Sequence, residues 1–89
     1  MNNKYLLESL VMDLKRVAIG NYRKSYGMAN RFYGEALKRK NEVDTSDIKF
    51  YLLTILENIE KMKDKNSDEI SEQALMYSTL IQNYTQKFM

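Results

Sequence analysis

Three apolar stripes with the period of an α-helix run along the chain, and they limit its possible folds more than any other feature. They occupy residues 3–41, 46–64 and 67–88, where apolar side chains recur at steps of three and four. No segment alternates apolar and polar residues as a half-buried strand does. Proline, the strongest helix breaker, is absent. The pattern predicts an all-α fold, a small helical bundle of three helices in a single domain over residues 1–89.

The first stripe is the informative one, because it holds one face from Leu7 to Ala36 and passes through Gly20 without a change of register. We therefore predict one long first helix, bent at Gly20 if it bends at all. The alternative is a break at Ile19-Gly20-Asn21, where glycine would end one helix. The chain would then fold back into a four-helix monomer.

The lengths of the three helices predict self-association. At a rise of about 1.5 Å per residue, the first helix would be about 57 Å long and the other two only about 29 and 33 Å. Half of the first helix would stay uncovered, and an uncovered apolar surface marks an interface. The sequence therefore predicts that a homodimer completes the bundle. The predicted dimer interface contains Leu7, Leu10, Val11, Leu14 and Ala18.

The only three glycines of the chain lie one heptad apart, at Gly20, Gly27 and Gly34. A glycine inside an exposed helix costs about 1 kcal/mol relative to alanine, so three on one face need a compensating role. On a straight helix they share their face with basic residues, and a groove without side chains lets another backbone or a phosphate approach closely. This Gly/Lys/Arg face is the predicted partner-binding or nucleic-acid-binding face, and it contains Arg16, Gly20, Arg23, Lys24, Gly27, Arg31, Gly34 and Lys38.

The charges are strongly polarised along the chain. Residues 15–40 contain eight lysines and arginines and one glutamate, a net charge of +7, whereas residues 41–89 carry a net charge of −4. The basic segment can pair with acidic helices of its own or a second subunit, or with a protein partner. It can also contact the phosphates of a nucleic acid. We predict a non-enzymatic binding or adaptor module, with nucleic-acid binding through the same face as the alternative.

Two residue types that carry much of protein chemistry are missing, since the chain contains neither cysteine nor histidine. Their absence removes the usual nucleophile–base pairs and zinc sites. We therefore expect no enzymatic activity, no cofactor and no metal. No apolar run approaches the roughly 20 residues that span a bilayer, so no membrane partner is expected. A chain without cysteine suits the reducing cytoplasm, which is the predicted location.

Overall fold

A computed structural model describes residues 2–89, and within them the chain forms four helices and no strand. The all-α class is therefore confirmed. The helices are α1 (Asn3–Tyr22), α2 (Tyr26–Glu42), α3 (Phe50–Lys61) and α4 (Ser67–Phe88). Short 3₁₀ turns at Thr45–Asp47 and Met62–Asp64 flank α3, which is accordingly shorter than the predicted middle helix. The last helix has the predicted bounds.

The predicted long first helix is two helices, because the chain turns back at residues 23–25. The turn lies a few residues beyond the Ile19-Gly20-Asn21 site of the alternative. It is a Schellman motif, in which the Ser25 amide donates to the Gly20 carbonyl at 2.7 Å and the Lys24 amide to the Asn21 carbonyl at 3.1 Å. Lys24 has φ 61°, the left-handed conformation that usually favours glycine.

Helix α1 packs along both α2 and α4 and runs antiparallel to each. The Ser71 hydroxyl at the start of α4 donates to the carbonyl of Ala18, near the end of α1, at 3.3 Å. Helix α3 closes the bundle. The amide of Lys49, the residue just before α3, donates to the Tyr84 hydroxyl of α4 at 3.0 Å. The Tyr33 hydroxyl of α2 donates to the Ile59 carbonyl of α3 at 2.6 Å. The result is a bundle of 36 × 21 × 21 Å.

The core contains apolar side chains from all four helices, and it includes the residues that the sequence assigned to a dimer interface. Leu7, Leu10 and Leu14 are fully buried, while Val11 and Ala18 are 5% and 8% exposed. The chain's own α2, α3 and α4 cover them, because the fold-back supplies the second half of the bundle that a partner was expected to supply. Leu7, Leu10 and Leu14 therefore offer no surface on which a second copy can dock, and Val11 and Ala18 keep only a small exposed area.

None of the helices in the described range has an apolar stretch long enough to cross a membrane.

Candidate functional site

The fold-back divides the predicted Gly/Lys/Arg face. Gly20 is buried at the α1–α2 contact, where an added β-carbon would lie 3.0 Å from both the β-carbon and the backbone nitrogen of Ala29. Gly27 and Gly34 lie on the surface of α2 instead, and an added β-carbon there would meet no atom within 4 Å. Gly20 therefore serves packing, and only the other two glycines remain available to a partner.

Four residues of the predicted face stay together on the outer side of α2, and we call them the α2 ridge: Gly27, Arg31, Gly34 and Lys38. At about 100° per residue they lie within about 60° of arc, so they form one line along the helix. The Lys38 ammonium lies 3.8 Å from a carboxylate oxygen of Glu35, and its side chain is 75% exposed. Arg31 has no carboxylate within 4.0 Å among the described residues.

Arg16 of α1 joins the α2 ridge across the junction of the two helices. Its guanidinium lies 5.2 Å from the centre of the Phe32 ring, and that of Arg31 lies 5.7 Å from the same ring. Beneath them the buried Asp13 carboxylate accepts a hydrogen bond from Nε of Arg39 at 2.8 Å, and Arg16 lies 3.7 Å from its other oxygen. This hydrogen bond is the main cause that raises the pKa of Arg39.

A second surface runs between α1 and α4 and has a volume of about 1090 Å³ where it reaches the α1–α2 turn. Its apolar side chains are large and exposed, with Ile19 at 44%, Tyr22 at 84% and Leu75 at 55%. We call it the α1–α4 groove. It is lined by Lys15, Ile19 and Tyr22 on the α1 bank, Arg23, Lys24 and Tyr26 at the turn, and Asp68, Glu72 and Leu75 on the α4 bank.

The two sides of this groove carry opposite charges. Lys15 lies on the α1 bank, and Arg23 and Lys24 lie in the turn that follows α1. The α4 bank carries Asp68 and Glu72. No ion pair within 4.0 Å joins these groups in the part of the chain that the structure describes. Arg23 and Lys24 therefore belong to the groove rather than to the α2 ridge.

On the side of α2 that faces α3, polar side chains bind groups of α3 and so hold the two helices together. Lys40 forms an ion pair with Glu60, and this hydrogen bond and charge lower the pKa of the Glu60 carboxyl. Burial raises the pKa of the Tyr33 hydroxyl. The Lys63 backbone lowers this pKa to a lesser extent, and the charges of Glu60 and Asp64 raise it further. Tyr33 therefore lies at the boundary of the core, where its hydroxyl binds the backbone of α3.

The sequence placed the four residues of the α2 ridge on one face, as the structure does, but it did not predict the α1–α4 groove. The sequence contains one indication of a second apolar face on α4, because Leu75 and Met76 lie outside its apolar stripe. Leu75 lines the groove in the structure. Ile19 and Tyr22 line it too, but their place could not be predicted from a continuous first helix whose packing neighbours were unknown. The Asp13–Arg39 pair gave no local signal, because the two residues are 26 positions apart and meet only through the fold-back.

Comparison of the chain with protein-family models, with curated proteins and with solved structures gives no match. Among the described residues, no group of three or more acidic side chains is arranged to hold a metal ion. The physical character of the two surfaces is therefore what bears on the function of the chain.

Proposed function

We propose that this chain is a non-enzymatic binding module that self-associates, with a second copy seated on the α1–α4 groove. The observation that supports it is the set of large apolar side chains exposed on both banks, with Tyr22 at 84% and Leu75 at 55%. Apolar side chains grouped along one groove favour an interface, whereas single exposed ones are ordinary. The lack of cysteine and histidine supports the non-enzymatic part of the proposal.

The charges of the groove favour a second copy over an unrelated partner. A two-fold symmetric interface uses the same surface on both subunits, so that surface has to be complementary to itself. With the two-fold axis parallel to the helices, the basic α1 bank of one copy faces the acidic α4 bank of the other. Lys15 and Arg23 then approach Asp68 and Glu72 of the other copy, and two equivalent sets of opposite charges form.

The face that carries the groove is also large enough for a dimer. The bundle measures 36 × 21 Å in the plane of two of its axes, so one face offers close to the area of about 800 Å² per partner that a standard interface buries. This proposed interface differs from the one predicted from sequence. It uses the outer side of α1, where Ala18 is the one predicted interface residue that lines the groove, whereas the other four are in the core.

The test is the molar mass in solution, measured by light scattering across the micromolar range. We expect the wild-type protein to have twice the chain mass of 10.6 kDa. Leu75→Glu introduces a charge into the groove and should return the protein to the monomer mass. Met76→Glu is the matched control, because Met76 is 48% exposed on the same helix but does not line the groove.

Two results would contradict the proposal. A wild-type mass of 10.6 kDa throughout the range would exclude the dimer. Dissociation by Met76→Glu to the same extent as by Leu75→Glu would show that a different face of α4 is the interface. Circular dichroism of each variant separates dissociation from unfolding, since a folded monomer keeps its helical signal.

A further inference from the structure

We infer that the α2 ridge, together with Arg16, binds the phosphodiester backbone of a nucleic acid. The inference builds on the proposed binding function but concerns a different surface. Neither Arg31 nor Lys38 lines the α1–α4 groove, so a dimer formed there would leave the ridge exposed.

The shape of the α2 ridge suits a close approach by phosphate groups. Gly27 and Gly34 are exposed and have open space where a side chain would project. Arg31 lies between them in sequence and Lys38 one turn beyond, so basic side chains alternate with positions where the helix backbone is bare. Phosphates can thus contact the ridge without displacing side chains.

The cations of this surface are only partly neutralised by the chain itself. Arg16 and Arg31 both lie within 6 Å of the Phe32 ring, at 5.2 and 5.7 Å, and Arg31 has no carboxylate within 4.0 Å among the described residues. The nearest buried carboxylate, Asp13, is already hydrogen-bonded to Arg39. An incoming phosphate can bind the Arg31 guanidinium together with that of Arg16, which also lies 3.7 Å from an oxygen of Asp13.

The chemistry of the ridge favours a nucleic acid over an acidic protein. The centre of a protein interface is typically apolar and aromatic. The α2 ridge has glycines in place of such side chains, so a protein bound there would bury little apolar area. Its arginine and lysine still attract negative charge. A nucleic acid needs no apolar contact for this kind of binding, because its phosphates supply a regular series of charges whose counterions are released.

The experiment measures the binding of fluorescently labelled oligonucleotides of mixed sequence, one single-stranded and one duplex, by anisotropy at increasing salt. The logarithm of affinity should fall linearly with the logarithm of salt, by about 0.9 per phosphate contact for duplex DNA and about 0.7 for a single strand. The double variant Arg31→Gln/Lys38→Gln should reduce this slope by about 1.8 for the duplex or about 1.4 for the single strand.

The matched control is Lys61→Gln/Lys65→Gln, which removes the same charge from exposed positions at and beyond the end of α3. It should leave the slope unchanged. Three results would overturn the inference: no binding by the wild-type protein at about 50 mM salt, where such contacts are strong; an equal loss of slope in the control; or equal competition by polyglutamate. The last result would assign the ridge to an acidic protein.

The light-scattering mass of the same samples separates this inference from the proposed self-association. A dimer that binds neither oligonucleotide refutes only the nucleic-acid inference. A monomer that binds them, with the slope reduced in Arg31→Gln/Lys38→Gln, refutes only the dimer.

Discussion

Gly20 of α1 packs closely against Ala29 of α2, and a β-carbon added at Gly20 would lie only 3.0 Å from the β-carbon of Ala29. An added β-carbon would stand 3.0 Å from the Ala29 nitrogen and 3.1 Å from its α-carbon. These are backbone atoms of a helix, which cannot turn aside as a flexible side chain can. The glycine therefore sets how near the two helices approach beside the turn that joins them.

Gly20→Ala and Gly27→Ala should change stability in opposite directions. The first forces α2 away from α1, and we expect a loss of about 1–2 kcal/mol in the free energy of unfolding, since overpacking outweighs the gain in helix propensity. The second adds a methyl group in open space on an exposed helix, and we expect a gain of up to about 1 kcal/mol. Urea denaturation followed by circular dichroism measures both. Equal effects of the two substitutions would contradict this account of Gly20.

The core could be predicted from the sequence, but the turn between α1 and α2 could not. Leu52, Ile55 and Ile59 of α3 are buried as the apolar period indicates. The turn carries no such signal, since its left-handed position holds Lys24 and the nearby glycine lies inside the helix. The stripe also continues in register across the turn. Tyr22 has the spacing of that stripe, yet it is 84% exposed.

Lys24→Gly should therefore stabilise the protein. Lys24 has φ 61°, a conformation that costs a residue with a β-carbon roughly 1–2 kcal/mol and glycine almost nothing. Glycine also loses more entropy on folding, so we expect a net gain of about 0.5–1 kcal/mol in the free energy of unfolding. Arg23→Gly is the control, because Arg23 has φ −84° and should lose stability. Destabilisation by Lys24→Gly would show that the lysine side chain itself holds the turn.

The candidate surfaces were predictable only where they depend on one helix. Arg31 and Lys38 lie seven residues apart on α2, so the sequence alone puts them on one face. Arg39 is one of the eight basic residues of segment 15–40. It binds the buried Asp13, because the fold-back brings α2 alongside α1, and a helical wheel drawn for one straight helix cannot show a contact between its two halves.

The Asp13–Arg39 pair predicts a strongly non-additive double-mutant cycle. Arg39→Met leaves a carboxylate that is 3% exposed with only the more distant Arg16 as a partner. We expect a loss of about 2–3 kcal/mol, below the roughly 3–5 kcal/mol of a fully buried pair because the Arg39 side chain is 33% exposed. Adding Asp13→Leu should recover most of that loss, since no unpaired charge then remains buried. Thermal denaturation of the four proteins gives the coupling energy, and additive losses would contradict the prediction.

Tyr33 should make stability depend on pH in the alkaline range. Its hydroxyl donates to the Ile59 carbonyl at 2.6 Å, and burial raises its pKa above the ordinary value of 10.0. The neutral form is thus favoured in the folded state, so this contribution is complete below pH 10 and is lost as the pH rises through the folded-state pKa.

Tyr33→Phe should lower the free energy of unfolding by about 1 kcal/mol at neutral pH, because the hydrogen bond from the Tyr33 hydroxyl is lost and the Ile59 carbonyl keeps the Met62 amide as its donor. It should also flatten the decline of stability above pH 10 relative to the wild-type protein. Tyr51→Phe, at a residue of α3 that is 51% exposed, is the control and should do neither. Urea titrations between about pH 8 and 11.5 test both effects, and a decline in Tyr33→Phe as steep as in the wild-type protein would assign the alkaline transition to other groups.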